Sequence, residues 1–375
     1  MLIGRHSALA LFAGLALSSV ACSQVSGTDA EASASAESQS VDASSLITVS
    51  ADLPYEVKRM HPATGRIFTA RWGQHGGPVA TLADDTSSSP IVTRWWLPKS
   101  PNSPAAAQPL ATAAVPNLPS DPESFFWNND GFLDTPDGAL MAWSSNTGNF
   151  TGELIQFSKN YDQILSRGSV NGYYSGASVT DARFVYSGLS GITAQPAPET
   201  KECGLWASDI TATQIVPATP STRLVKWEGS SGPVTTDSNG NVFVAAFVTG
   251  AAHSNAIYAL GKNQALASEA QTPATLAETD TQGTSSIAAA SIPGTTTGWL
   301  FAKGWDTATA QPIYARQYTS TGDAITAQGE VLADAIKPVI SPSTLSMFTD
   351  PKGNLWVTVT AETGAWLIEL EPKAP

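Results

Sequence analysis

The chain has few of the residues from which most recognisable active sites are built. Among its 375 residues are two cysteines and four histidines, and only 14% are Asp, Glu, Lys or Arg. No pair of histidines or cysteines has the spacing of a zinc site. No segment matches a nucleotide-binding glycine loop or the G-x-S-x-G turn of serine hydrolases. The sequence therefore names no enzyme class, and we expect neither a cofactor nor a metal beyond a structural calcium ion.

Positive charge is also scarce. Lys and Arg together number 19 against 32 Asp and Glu, so the formal net charge is −13 at pH 7. A nucleic-acid partner requires the opposite balance, because binding depends on neutralising phosphates. Attraction to an anionic membrane surface by charge is excluded for the same reason.

A short apolar run near the N-terminus predicts export. Residues 8–17 are Ala, Leu, Phe and Gly only and follow Arg5. Ten apolar residues are too few to span a bilayer, but they fit the central region of a signal peptide, which we place at residues 1–21. Small residues then lead to Cys22.

The segment from Ser19 to Cys22 resembles the lipobox of bacterial lipoproteins, in which the cysteine is acylated. It departs from the usual pattern, with Ser19 in place of Leu and Val20 in place of Ala or Ser. The resemblance implies a lipid anchor in the cell envelope, at the outer membrane. The alternative is cleavage by the ordinary signal peptidase, which would give a soluble secreted or periplasmic protein and leave Cys22 free to pair with Cys203.

Residues 22–45 predict a disordered tether. The segment is rich in Ser, Ala and acidic residues and contains no base. It cannot bury enough apolar surface to offset its ordering entropy. The folded domain is therefore expected at residues 46–375.

The domain is predicted to consist of β-strands joined by turns. Short apolar runs recur between Gly, Pro, Asn and Asp residues, and helical periodicity is nearly absent. Two stretches, at Asp237 and Asp350, share an Asp-x-x-Gly-Asn turn before an apolar strand. A weaker copy begins at Asp134, and Gly298 opens a copy without the Asp. Asp caps such a turn with its side chain, and Gly accepts a positive φ.

A second apolar segment follows each copy at a similar distance, at residues 154–157, 257–260, 313–316 and 367–370. The gap between the first two copies is about twice the others, and residues 183–186 with 205–206 fill it. Residues 66–72 with 91–92 fit a first unit. About six units of roughly 50 residues predict an all-β fold, a β-propeller of about six blades. Separate β-sandwich domains are the alternative.

The turn and strand at Asp237 and Asp350 are similar to the repeats of two-component-regulator and NHL-type propellers. This resemblance implies a fold and says little about function, because the matching residues are structural.

Tryptophans and one acidic cluster supply the candidate site residues. An exposed Trp stacks on a sugar or anchors a protein partner, which points to Trp95, Trp96 and Trp127. Asp130, Asp134 and Asp137 are weak calcium candidates, because carboxylates at this density suit Ca²⁺. Turn-forming Asp residues explain the same cluster.

The sequence favours a monomeric, lipid-anchored propeller that binds an envelope protein or glycan without catalysis. The alternative is an extracellular propeller enzyme, a hydrolase, lyase or lactonase, with its active site in the central channel. Converging acidic, amide or histidine side chains at a channel mouth would favour the enzyme. A channel lined by Ser, Thr and Ala would favour the binding protein.

Overall fold

A computed structural model describes strands between residues 43 and 373, within the unit that spans residues 41–375. The described residues are 43–63, 66–73, 77–83, 91–96, 106–109, 132–135, 138–144, 151–158, 163–171, 174–180, 183–188, 192–193, 203–209, 222–248, 255–279, 284–304, 312–340, 344–362 and 364–373. The signal peptide, Cys22 and all of the tether up to residue 42 lie outside them. Of the described residues, no helix is long and apolar enough to cross a membrane.

The described strands form six antiparallel sheets, which we call blades 1 to 6 in chain order. Before the blades come a 3-10 turn, Ala43–Ser45, and two strands, β1 (Ile47–Val49) and β2 (Tyr55–Ala63). Blade 1 contains β3 (Arg66–Gly73), β4 (Gly77–Ala83), β5 (Ile91–Trp96) and β6 (Ala106–Pro109). Blade 2 contains β7 (Phe132–Thr135), β8 (Gly138–Ser144), β9 (Thr151–Ser158) and β10 (Ile164–Asn171).

Blade 3 contains β11 (Tyr174–Val179), β12 (Arg183–Gly188), β14 (Gly204–Asp209) and β15 (Thr222–Lys226), while the short β13 (Ile192–Thr193) pairs back with β10. Blade 4 contains β16 (Gly229–Thr236), β17 (Val242–Val248), β18 (Asn255–Leu260) and β19 (Ala274–Thr279), with a single helical turn, α1 (Lys262–Ala265), after β18. Blade 5 contains β20 (Thr284–Ser291), β21 (Thr297–Gly304), β22 (Ile313–Thr321) and β23 (Ala324–Pro338). Blade 6 contains β24 (Thr344–Thr349), β25 (Leu355–Ala361) and β26 (Gly364–Pro372).

The blades form a closed ring about one axis. The first strand of each blade contacts the first strand of the next, in the order β3, β7, β11, β16, β20 and β24, and β24 contacts β3. These first strands are therefore innermost. We call the end of the ring where each innermost strand turns into the second strand the hairpin face, and the end where each innermost strand begins the crossover face.

Two N-terminal strands complete the last two blades. Strand β2 pairs with β26 and supplies the outermost strand of blade 6, with Tyr55 opposite Pro372. Strand β1 pairs with β23 and adds a fifth strand to blade 5, with Ile47 opposite Pro338. The ring is thus closed by joining the two ends of the domain.

Packing between blades explains why the second strands read as continuous apolar runs. Each blade is covered on both faces by its neighbours, so a strand in its middle is buried on both sides. Strand β25, LWVTVTA, is buried at every position except the last. Separate apolar clusters fill the gaps between blades 3 and 4, 4 and 5, 5 and 6, and 6 and 1.

The fold predicted from the sequence is confirmed: the chain is all-β and forms a six-bladed propeller. The alternative of separate β-sandwich domains is wrong, because the innermost strands form one ring. The two inferred units are blades 1 and 3, although residues 66–72 form an innermost strand rather than a second one. The apolar segments placed after each copy are the third strands of blades 2, 4, 5 and 6.

The four copies of the repeat do not share one turn geometry. Gly240 and Gly353 have φ values of +84° and +80°, as the turn requires. Asp134 instead lies inside β7, opposite Ala139, and only two residues separate β7 from β8. Gly298 lies inside β21, where a side chain would collide with the ring of Tyr318.

Candidate functional site

The innermost strands of blades 3 to 6 consist of uncharged residues, most of them small. They read YSGASV, GSSGPVTT, TSSIAAAS and TLSMFT. None of these four strands contains an acidic residue, a basic residue or a histidine. In blades 1 and 2, the innermost strands carry Arg66, Arg71 and Asp134.

Hydroxyl groups join neighbouring innermost strands. Ser178 on β11 and Thr236 on β16 are linked by a hydrogen bond of 2.9 Å between their hydroxyls. The main-chain N–H of Met347 on β24 donates to Ser286 Oγ on β20 at 3.2 Å, and Thr349 Oγ1 donates to a main-chain carbonyl of β20 at 2.8 Å. Because an innermost strand has no sheet partner on its axial edge, these hydroxyls satisfy polar groups that the sheets leave open.

Asp237, at the hairpin face of blade 4, clamps two blades together. Its Oδ1 accepts the main-chain N–H groups of Asn239 and Asn241 at 3.0 and 2.9 Å. Its Oδ2 accepts Asn241 Nδ2 at 2.8 Å, together with Ser291 Oγ at 2.6 Å and Tyr318 OH at 2.8 Å from blade 5. Burial, with the nearby Asp237 carboxylate, raises the pKa of Tyr318 well above its ordinary value, so the phenol keeps its proton and donates.

The equivalent turn of blade 6 repeats this geometry. Asp350 Oδ1 accepts the N–H groups of Lys352 and Asn354 at 2.8 and 3.0 Å. Its Oδ2 accepts Asn354 Nδ2 at 3.0 Å and Trp356 Nε1 at 3.2 Å. Both aspartates have carboxylates occupied by donors within the protein, so the described Asp-x-x-Gly-Asn turns are structural.

A buried carboxylate links the closing strand to the turn at Asp350. Glu369 on β26 is 2% exposed and forms an ion pair with Arg59 on β2. Its other oxygen accepts Asn354 Nδ2 at 2.8 Å. Burial raises the pKa of Glu369, against the opposing effect of Arg59 and Lys58. The contact between β2 and β26, which closes the ring, is therefore electrostatic as well as apolar.

The sequence-predicted site residues are not brought together by the described structure. Trp95 and Trp96 end strand β5, opposite Ala107 and Ala106. Asp134 lies in β7, and the described structure gives the backbone of all three residues and not their side-chain contacts. Trp127, Asp130 and Asp137 lie outside the described residues, as does Cys22.

Within the described part of the chain, no group of three His, Cys, Asp or Glu side chains could hold a metal ion. The one cysteine described, Cys203, is buried and has no disulfide.

Sequence reasoning missed the residues that organise this region. Arg59 and Glu369 are separated by 310 residues, and Asp237 and Tyr318 by 81. No local pattern relates such residues. Only the repeated turn at Asp237 and Asp350 gave a signal, and it identified one partner of each contact.

Comparison with known proteins assigns no family: no family model matches the chain, and no curated protein matches it. Among solved structures, the soluble aldose sugar dehydrogenase from Escherichia coli is 12% identical, with a TM-score of 0.48, over 87% of this chain and all of that one (100%). Regucalcin from Agrobacterium tumefaciens, described as a calcium-binding protein, is 14% identical, with a TM-score of 0.39, over 63% of this chain and 69% of that one. A chain of the mitotic checkpoint complex is 11% identical, with a TM-score of 0.43, over 85% and 96% of the two chains. The propeller assignment stands on the ring of sheets itself.

We expect Asp237→Ala to lower the free energy of unfolding by roughly 3 kcal/mol or more, because it leaves several buried donors without an acceptor. Tyr318→Phe removes one donor and leaves none stranded, so its cost should be smaller, about 1–3 kcal/mol. The exposed Ser238→Ala in the same turn is the control, with a change within about 0.5 kcal/mol. Urea denaturation measures all three, and equal effects of the Asp237 and Ser238 changes would contradict the clamp.

Glu369→Gln should change how stability depends on pH. Because the folded-state pKa of Glu369 is raised, the folded protein holds a proton there that the unfolded chain has released. The stabilisation that this proton gives the folded protein is fully present below the ordinary pKa of Glu, about 4.3. It is lost as pH rises through the raised folded-state pKa of Glu369. The free energy of unfolding of wild type minus that of Glu369→Gln should therefore fall from acid to neutral pH.

Urea denaturation of both proteins across this pH range measures the difference. Glu371→Gln is the matched control, because Glu371 lies on the same strand and pairs with Lys58 at a half-exposed position. A difference that stays constant or rises with pH would show that burial does not dominate at Glu369.

Proposed function

We propose that this protein is a lipid-anchored propeller of the bacterial cell envelope that binds a protein or a glycan. The neutral innermost strands of blades 3 to 6 are the observation that carries the proposal. Hydrolysis and elimination rely on groups that exchange protons or hold a developing charge. These strands supply instead neutral hydroxyl and main-chain groups, which suit a ligand held by hydrogen bonds.

The position of the N-terminal strands supports the anchor. Strand β1 is the outermost strand of blade 5, and Leu46 and Ile47 are 3% and 2% exposed. The chain therefore joins the propeller at its perimeter. We expect a spacer attached there to leave the axis open to a ligand. In this proposal Cys22 carries the lipid, residues 22–45 are the spacer, and the protein lies at the outer membrane.

Cys22→Ala in the full-length protein should abolish membrane attachment. The lipid is the sole anchor in the proposal, since the net charge of −13 gives no attraction to anionic lipids. Cell fractionation measures the membrane association of the variant, and labelling with a radioactive fatty acid measures its acylation. Cys203→Ala is the matched control. Membrane retention and labelling that persist in Cys22→Ala would refute the lipoprotein assignment.

The domain from residue 43 onward should retain a ligand from a glycan array or from solubilised envelope. The variants Trp95→Ala and Trp96→Ala distinguish the two candidate ligand-binding tryptophans, because adjacent residues of a strand face opposite sides of the sheet. We expect one of these variants to lose the ligand while keeping the melting temperature of the parent. Release of a cleaved product in place of a retained ligand would contradict the binding function and favour the propeller enzyme.

A further inference from the structure

Asn239 and Gly240 form the tip of the hairpin-face turn of blade 4, between β16 and β17. Asn239 is exposed, and its side-chain amide makes no hydrogen bond among the described residues. Gly240 has no side chain, so nothing shields its main-chain nitrogen from the amide carbon of Asn239. An asparagine followed by glycine is therefore the pair in which the side-chain amide reacts most readily with the next main-chain nitrogen.

This reaction needs no partner other than water. The main-chain nitrogen of Gly240 loses its proton and attacks Cγ of Asn239. The bond between Cγ and Nδ2 breaks, ammonia leaves, and a cyclic succinimide remains. Water then opens the ring at either carbonyl, to aspartate or to isoaspartate, in which the main chain runs through the former side chain.

The turn opposes this reaction while it is closed. The N–H of Gly240 donates to the main-chain oxygen of Asp237 at 3.0 Å, and the N–H of Asn239 donates to Asp237 Oδ1 at 3.0 Å. Because the attacking nitrogen must lose its proton, the hydrogen bond from Gly240 has to open first. The rate of reaction should therefore follow the fraction of time that the turn is open.

The equivalent turn of blade 6 is held more firmly than that of blade 4. Gly353 is buried, and a methyl group placed on it would lie 2.6 Å from the main-chain oxygen of Ser291 in blade 5. The carbonyl of Gly353 also accepts the hydroxyl of Tyr55 at 3.1 Å. A methyl group on Gly240 would meet only the side chain of Lys262, at 3.2 Å. The turn of blade 4 is therefore expected to open more readily.

We propose that Asn239 is a site of spontaneous deamidation, controlled by opening of its turn, and that isoaspartate formed there loosens blade 4 from blade 5. Isoaspartate adds one atom to the main chain between Asp237 and Asn241. This displaces Asn241, whose main-chain N–H and oxygen bind Asp237 at 2.9 and 3.1 Å. The same carboxylate accepts Ser291 and Tyr318, so the damage reaches the contact between the blades. The inference does not depend on the proposed binding function.

Peptide mapping by mass spectrometry of the full-length protein, incubated at mildly alkaline pH, measures conversion at position 239. It also separates this site from Asn171, which precedes a glycine too. A synthetic peptide of residues 234–244 is the open reference. Wild type should react more slowly than the peptide, yet measurably by the time the peptide is fully converted. Tyr318→Phe should raise the rate between about two- and tenfold, because it removes one hydrogen bond from Asp237.

Lys352→Asn is the matched control, because it places the same dipeptide in the turn of blade 6. Reaction at position 352 should be at least severalfold slower than at position 239. Adding Tyr55→Phe to Lys352→Asn should accelerate it, since the bond to the Gly353 carbonyl is lost. A wild-type rate equal to that of the peptide, or equal rates in the two turns, would show that turn opening does not control the reaction. No conversion at Asn239 would refute the site.

The structural consequence is tested on aged protein separated by ion exchange. An isoaspartyl methyltransferase identifies the fraction that carries isoaspartate, and this fraction should melt at a lower temperature than unmodified protein. Asn239→Asp introduces the same charge with a normal main chain and should melt close to wild type. An isoaspartate fraction that melts at the wild-type temperature would refute the loosening of the two blades.

Discussion

Ring closure holds the six blades of this protein in place. Six blades cover one another's faces only if the last blade meets the first, and here strand β2 supplies the missing edge of blade 6. The Arg59–Glu369 ion pair fixes that strand, and Asn354 extends the contact to the carboxylate of Asp350. A buried ion pair costs desolvation, so its value here lies in fixing one register rather than in bulk stability.

The same ring geometry accounts for the composition of the chain. Innermost strands leave one edge without a sheet partner, and short hydroxyl side chains bridge that edge to the next blade without the desolvation cost of a charge. Middle strands are covered on both faces and need apolar residues at nearly every position. The innermost strands of blades 3 to 6 accordingly contain Ser, Thr and Ala and no charged residue.

Three arginines illustrate what charged side chains do in the described part of the ring. Arg59 forms an ion pair with Glu369 and Arg183 with Asp209, while Arg316 donates to two main-chain carbonyls. Each of these contacts joins separate strands, so these charges have a structural role.

Local patterns in the chain were enough to predict the fold class, about six units and the turns at Asp237 and Asp350. The two turns are predictable because each Asp bonds residues at most four positions away. It misplaced the turn near Gly298, since the space at that glycine is taken by Tyr318 from a strand some distance along the chain. The partners of Asp237 in blade 5 and the pairing of Arg59 with Glu369 are visible only in the folded ring. Those contacts join residues brought together by ring closure, and no local spacing encodes which strand will lie beside another.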